Sequence, residues 1–276
     1  LGTGEVPRLR MAKGVIARRQ AAGNLLYAAS GRGPNPNVFA IMKPDVAAPG
    51  VDILGAQTPD VANGVRGERY QYLSGTSMAA PHVAGVAALL RQAHPEWSPA
   101  ALRSALMTTA RQDLLREDGS SPADPFDVGA GHIVPDRAID PGLVYDVDRL
   151  DYEAFGCGIG LPQLDEDRCA RLLAEGYPLS PEALNLPSIA SLDVIGRRSI
   201  RRRVTNVGPA AVFHASLSAP PGISASVEPA SLALAAGETA EYTLTFSSNG
   251  DARRLDYFDP AAALPDFRFG SLSWES

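Results

Sequence analysis

The stretch that decides the reading is Ser74-Gly75-Thr76-Ser77-Met78-Ala79-Ala80-Pro81-His82-Val83-Ala84-Gly85. From Met78 to Leu90 it predicts a helix apolar on every face, with His82 its one polar side chain, and such a helix belongs inside a domain. Ala79, Ala80, Ala84, Gly85, Ala87 and Ala88 keep it thin, so neighbouring strands can approach its backbone. The Gly-Thr-Ser turn delivers the Ser77 hydroxyl to the first helical turn, where unpaired backbone N–H groups and the positive dipole end favour developing negative charge. An acyl-transfer nucleophile is wanted at such a place. The backbone N–H of Ser77 itself can then serve an oxyanion, a contact worth about 3–4 kcal/mol per donor. Pro81, four residues on, cannot donate to the Ser77 carbonyl, which holds the helix start open.

Outward from this helix the chain divides into two textures. Downstream, the helix should end near His94-Pro95. A second helix should start with Ser98 as N-cap and Pro99 at its first position, with Leu102, Ala105, Leu106 and Thr109 along one stripe. Upstream, Leu25 to Ala29 and Val51 to Leu54 read as short buried strands and Glu68 to Leu73 as a half-exposed one, an α/β alternation reaching to about Ala110. From Ser188 the runs turn β-rich. Ile200 to Val207, Ala211 to Ser218, Ile223 to Val227, Ser231 to Leu234, Thr239 to Phe246 and Phe267 to Trp274 are candidate strands between Pro and Gly turns, the pattern of a small β-sandwich. Asp140 to Pro187 is a Pro- and Gly-rich connector with two short helices. The division is therefore 1–139 for the α/β part, 140–187 for the connector and 188–276 for the sandwich.

Composition narrows the function. The 276 residues are 45% apolar and 20% charged, which excludes a disordered polymer. A formal charge of −6 without a long basic run leaves little for counterion release from nucleic acid. The longest strongly apolar stretch, Met78 to Leu90, falls short of the roughly 20 residues that cross a bilayer. Leu1 to Gln20 carries Arg8, Arg10, Lys13, Arg18 and Arg19 without an apolar core, so it does not read as a signal peptide; the expectation is either a chain cut out of a longer one or an address label already lost. Cys157 and Cys169 are compatible with one disulfide or with two free thiols. Asp165, Glu166 and Asp167 are contiguous rather than spaced as cation ligands, and they read, like Asp256 and Asp259, as solvated surface. No metal set and no cofactor motif stands out. Arg197, Arg198, Arg201, Arg202 and Arg203 read as a solvated strand edge.

Gly75 to Gly85 resembles the nucleophile motif of the subtilisin-like serine peptidases, the subtilases, over eleven consecutive positions. Ser30-Gly31-Arg32-Gly33-Pro34-Asn35 is similar to the family's Ser-Ser-Arg-Gly-Pro-Asn segment, with Gly31 a departure. Lys43 to Val51 is similar to the stretch that follows it. Gly129-Ala130-Gly131-His132, Asp140 to Asp146 and Arg203-Val204-Thr205-Asn206-Val207-Gly208 resemble the plant-type branch and its bacterial relatives, which carry a fibronectin-III-like sandwich after the peptidase domain. The resemblance implies a partial subtilisin-like parallel-sheet domain, a disulfide between Cys157 and Cys169, secretion, and a peptide or protein substrate.

It also implies what is missing. The family's base is a His in a His-Gly-Thr motif, oriented by an Asp in an Asp-Thr/Ser-Gly motif, and neither motif occurs in this chain. His82 lies five residues past Ser77, a rotation of about 500° that turns it away. His94, His132 and His214 read as a helix end, a loop and a strand. Ala22-Gly23-Asn24 imitates the context of the family's second oxyanion donor, but only six residues before Ser30. Ser74 reads as lining the turn. The expectation is a C-terminal portion of a secreted endopeptidase with Ser77 as nucleophile, inactive until the N-terminal half of the catalytic domain joins it. The alternative is a non-catalytic interaction module acting through the sandwich.

Overall fold

The computed structural model describes residues 23–60, 62, 66–191, 194, 196–248 and 267–276. The basic opening segment, Asp256 and Asp259 lie outside them. Strands β1 (Ile53–Ala56) and β2 (Tyr70–Leu73) pair antiparallel, Ile53 opposite Leu73, and β2 runs almost directly into α1 (Thr76–Ala93). Parallel contacts among the described residues of this half are the isolated bridges Leu25–Leu115 and Ala47–His132. Leu25 to Ala29 therefore forms no strand. Val51 to Leu54 shifts two residues on, and its Val51 and Leu54 stand exposed. A strand needs two neighbours or two covering layers to read as buried, and the described residues supply neither here.

Helix α1 corrects the expectation of an interior helix. Val83, Val86 and Leu90 form one stripe that packs with Val46, Ala48, Leu106, Ile133 and Ala138. The other side, with Ala80, Pro81, Ala84, Gly85 and Ala88, is exposed, and Leu89 is 63% exposed. One packing layer cannot cover a helix that is apolar all round. The ring of His94, the C-cap of α1, stacks on Trp97 at 3.9 Å.

Helix α2 (Pro99–Thr108) starts as its caps dictate: Ser98 Oγ accepts from the Ala101 N–H at 3.0 Å and Pro99 takes the first position. It is the keystone of the molecule. Ala101 and Ala105 pack on Val144, Ala100 packs on Val147, Leu184 and Leu186, and the fully buried Ser104 accepts the Tyr145 N–H at 2.8 Å. Short helices α3 (Pro125–Val128) and α4 (Pro135–Ala138) follow, both with proline at their start.

The connector is woven into the sandwich. Its β3 (Leu143–Val144) pairs with Asn206 and Thr205, and Tyr145 lies in the sandwich core. Helices α5 (Arg149–Gly158) and α6 (Glu166–Ala174) carry Asp caps, Asp148 and Asp165. The acidic triplet is thus the cap and first turn of α6, where carboxylates favour the positive helix end. Cys157 of α5 and Cys169 of α6 form a disulfide. Its separation of 12 residues sets a loop-closure contribution of about 2–3 kcal/mol. Cys157→Ser with Cys169→Ser is therefore expected to lower the urea midpoint, and an unchanged midpoint would count against the bond as a stabiliser.

Strands β4 (Arg197–Asn206), β5 (Ala211–Ser218), β6 (Ile223–Glu228), β7 (Ser231–Leu234), β8 (Thr239–Ser248) and β9 (Ser271–Glu275) complete two antiparallel sheets, ordered β3-β4-β8-β6 and β7-β5-β9. Alternation places Val204, Phe213, Val227, Leu232, Leu234, Tyr242 and Leu244 between them. The Tyr145 and Tyr242 hydroxyls share a hydrogen bond of 2.8 Å, and burial raises both above the ordinary phenol range.

The arginine run fits its reading as a solvated edge at Arg197, Arg198 and Arg201, which are exposed, and departs from it at Arg202. β3 reaches β4 only at Thr205 and Asn206, so the arginines have β8 on one side alone, but Arg202, 3% exposed, shares the inward face with Ile200 and Val204. Its Nε donates to the Leu186 carbonyl at 2.9 Å, Nη1 to Glu182 and Arg201 carbonyls at 2.9 and 3.0 Å, and Nη2 to Ser188 at 3.3 Å. Arg203 pairs with Asp151 of α5 at 2.6 Å and Arg198 with Glu182. Arg198, Arg202 and Arg203 thus make a seam joining connector to sandwich.

Candidate active site

The turn into α1 is built by the approach of two chain segments. The Gly75 N–H donates to the Gly50 carbonyl at 2.7 Å. A Cβ on Gly50 would lie 2.8 Å from the Gly75 carbonyl oxygen and 3.2 Å from the Ala79 Cβ, so only glycine lets the segments meet. Gly75 itself has φ 152° and ψ 170°, a region closed to side-chain-bearing residues. The reversal places Thr76 and Ser77 at the first two helical positions, so the Ser77 N–H is one that a helix leaves without an intrahelical partner. Pro81, inside α1, supplies no N–H for the Ser77 carbonyl. The Ser77 side chain is exposed. A hydroxyl, an adjacent unpaired amide and a positive helix end therefore share one solvent-facing turn.

Next to it lies a contact absent from the sequence reading. The Asp52 N–H donates to Ser74 Oγ at 2.8 Å, and Ser74 Oγ donates to Asp52 Oδ1 at 3.3 Å. Asp52 holds a left-handed conformation, φ 51°. The only trace of it in the sequence is an aspartate, which tolerates that conformation, directly after Pro49-Gly50-Val51.

The histidines go elsewhere. His82 Nδ1 is 2.8 Å from the Met78 carbonyl, His94 Nε2 is 2.8 Å from the Ile139 carbonyl, and His132 Nδ1 is 2.8 Å from the Ile133 carbonyl. His214 sits on β5, exposed. Among the described residues no histidine is hydrogen-bonded to Ser77. Asn24 Oδ1 accepts from Arg111 Nη2 beside the Leu25–Leu115 bridge. No group of three or more His, Cys, Asp or Glu among the described residues is placed to hold a metal ion. No helix among them is long and apolar enough to cross a membrane.

A second polar network is centred on Asp127 of α3. Asp127 accepts from Arg32 Nη1, from Arg116 Nε at 2.6 Å and from the Asp124 N–H at 2.9 Å, while Arg116 also holds Asp124 at 2.6 Å and Arg32 holds Glu117 at 2.8 Å. Burial pushes the Asp127 carboxyl up, but the Asp124 amide and the two guanidinium groups outweigh it and leave it below the usual carboxylate range. The network ties the loop holding Arg32 to the start of α3. Just beyond α3 the chain runs beside the segment leading to Gly50: the Ala47 N–H donates to Gly131 O at 2.8 Å and the Ile133 N–H to Ala47 O at 3.0 Å.

Residues 10–131 match the pattern described as the subtilase family, and residues 183–276 that of a fibronectin type-III domain. A subtilisin-like protease of Solanum lycopersicum is 43% identical over 248 residues, covering 82% of this chain and 33% of its own length. Two subtilisin-like proteases of Arabidopsis thaliana are 43% identical over 273 residues (92% of this chain, 33% of theirs) and 40% identical over 277 residues (91% and 34%). The chain spans about a third of the length of the curated relatives it matches.

Proposed function

Because residues 10–131 belong to the subtilase family and residues 183–276 are a fibronectin type-III domain, we propose that this chain is the nucleophile-bearing portion of a secreted serine endopeptidase. Residues 1–139 belong on this reading to the catalytic domain, 140–187 to the connector and 188–276 to the sandwich. Ser77 Oγ attacks the scissile carbonyl of a peptide or protein while its proton passes to a histidine supplied by the N-terminal half of the catalytic domain. The Ser77 N–H receives the oxyanion, the C–N bond breaks as the amine takes the proton, and water then releases the acyl group. The orienting aspartate and an asparagine donor come from that same half. The reading rests on one observation, the exposed Ser77 hydroxyl on the first turn of α1 beside an unpaired amide. Secretion is supported by the disulfide, which persists in oxidising compartments.

A serine without its base is a poor nucleophile at neutral pH. The chain alone is therefore expected to neither cleave a fluorogenic protein substrate nor take up a fluorophosphonate probe. Adding an N-terminal catalytic half from a relative should bring labelling that Ser77→Ala abolishes. Labelling that survives Ser77→Ala would overturn the assignment, and turnover by the chain alone would overturn the need for a second half.

A further inference from the structure

We propose that Asp52 and Ser74 form a clamp that sets how α1 presents Ser77, making both of them positioning residues for the nucleophile. The inference rests on the reading of Ser77 given above. The clamp occupies the step just past the last β1–β2 pair, Ile53 with Leu73, where the ladder gives way to the helix. There the backbone needs two unusual conformations within reach of each other, Asp52 at φ 51° and Gly75 at φ 152°. An aspartate in the left-handed region is held at a cost, and both its side chain and that of Ser74 are exposed, so neither fills a core. What the arrangement achieves is reciprocal: one serine hydroxyl takes the Asp52 amide and gives its proton to the Asp52 carboxylate. With the Gly75–Gly50 bond beside it, the turn is tied on both sides of the peptide that precedes Thr76 and Ser77. Remove the clamp and Gly75, the most permissive residue in the turn, is free to rotate the first helical amides away from the Ser77 side chain.

The test uses the whole chain with Ser77→Cys, read by iodoacetamide alkylation across pH. Cys157 and Cys169 are joined to each other, so the introduced thiol is the one that reacts. Ala88→Cys, at an exposed site in mid-helix, is the reference. A thiol on the first turn of a helix is expected to titrate below the ordinary value of about 8.5 and to alkylate several times faster at pH 7 than the reference. Adding Ser74→Ala breaks both hydrogen bonds and leaves every charge in place. It is expected to slow alkylation at pH 7 by about three- to ten-fold and move the titration upward. Asp52→Ala should do the same, whereas Asp52→Asn, which keeps an acceptor and tolerates the left-handed conformation, should restore the rate to within about two-fold. A pure charge effect predicts the reverse, both Asp52 variants raising the rate alike. A fast thiol indifferent to Ser74→Ala, or an Asp52→Asn chain as slow as Asp52→Ala, overturns the clamp alone. A Ser77→Cys thiol no faster than the reference overturns the nucleophile reading and the clamp together.

Discussion

Replacing Arg202 by leucine is expected to lower the stability of the chain by about 3–5 kcal/mol, because the Glu182 and Leu186 carbonyls of the connector and the Ser188 carbonyl just after it lose their donor inside the protein. Among the described residues the guanidinium donates to carbonyl oxygens alone, and burial draws it below its ordinary value. Such a group is not replaced by a hydrophobic side chain of equal volume, since the oxygens it leaves behind still need donors. Arg202→Lys keeps the charge but not the planar fork, and should recover less than half of the loss. Urea unfolding followed by tyrosine fluorescence measures both. The seam also predicts where damage appears first: limited proteolysis of Arg202→Leu should open residues 181–188 before the strands. A loss under about 1 kcal/mol would mean that the connector carbonyls find water readily and that the seam is decoration.

The second large effect belongs to Asp127. Its side chain is 6% exposed and holds two arginines and one backbone amide. Removing one partner of such a group strands the others, so Asp127→Ala is expected to cost about 3–4 kcal/mol, somewhat less than a fully enclosed ion pair because Arg116 is partly exposed and screened. The same carboxyl carries a pH dependence. Its pKa in the folded chain lies below the unfolded value of about 3.9. The stabilisation is therefore complete above that unfolded value and fades as pH falls through the folded one. Thermal melts from pH 6 down to pH 2 should show wild type and Asp127→Asn clearly separated at pH 6 and converging at the acid end. A separation that stays constant with pH would assign the loss to packing and not to charge.

What could be read from the linear chain and what could not follow from how local each signal is. The α2 start was legible because Ser98 and Pro99 act on their own helix. The sandwich strands were legible because alternation within β8 places Tyr242 and Leu244 on one face whatever the partner strand. The presentation of Ser77 by a Gly-Thr-Ser turn was legible for the same reason. By contrast, the burial of α1 depends on how many layers cover it, and Leu25 to Ala29 on whether a neighbour extends its one bridge. Arg202 of β4 looks like one more member of a solvated row until the 182–188 segment is seen offering it three carbonyls. Asp52 was invisible because its partner lies 22 positions away and its backbone angle leaves no mark on composition.

Two residues of β3 carry a consequence for anyone who would treat the last domain as a detachable bead. Leu143 and Val144 extend a sheet whose remaining strands come more than fifty positions later, and the neighbouring Tyr145 hydroxyl meets Tyr242 in the interior. A polypeptide beginning at residue 188 would lose an outer strand and leave a phenol inside without its mate. Grafting or exchange between relatives should therefore be joined ahead of residue 141, so that the borrowed module arrives with its own lintel.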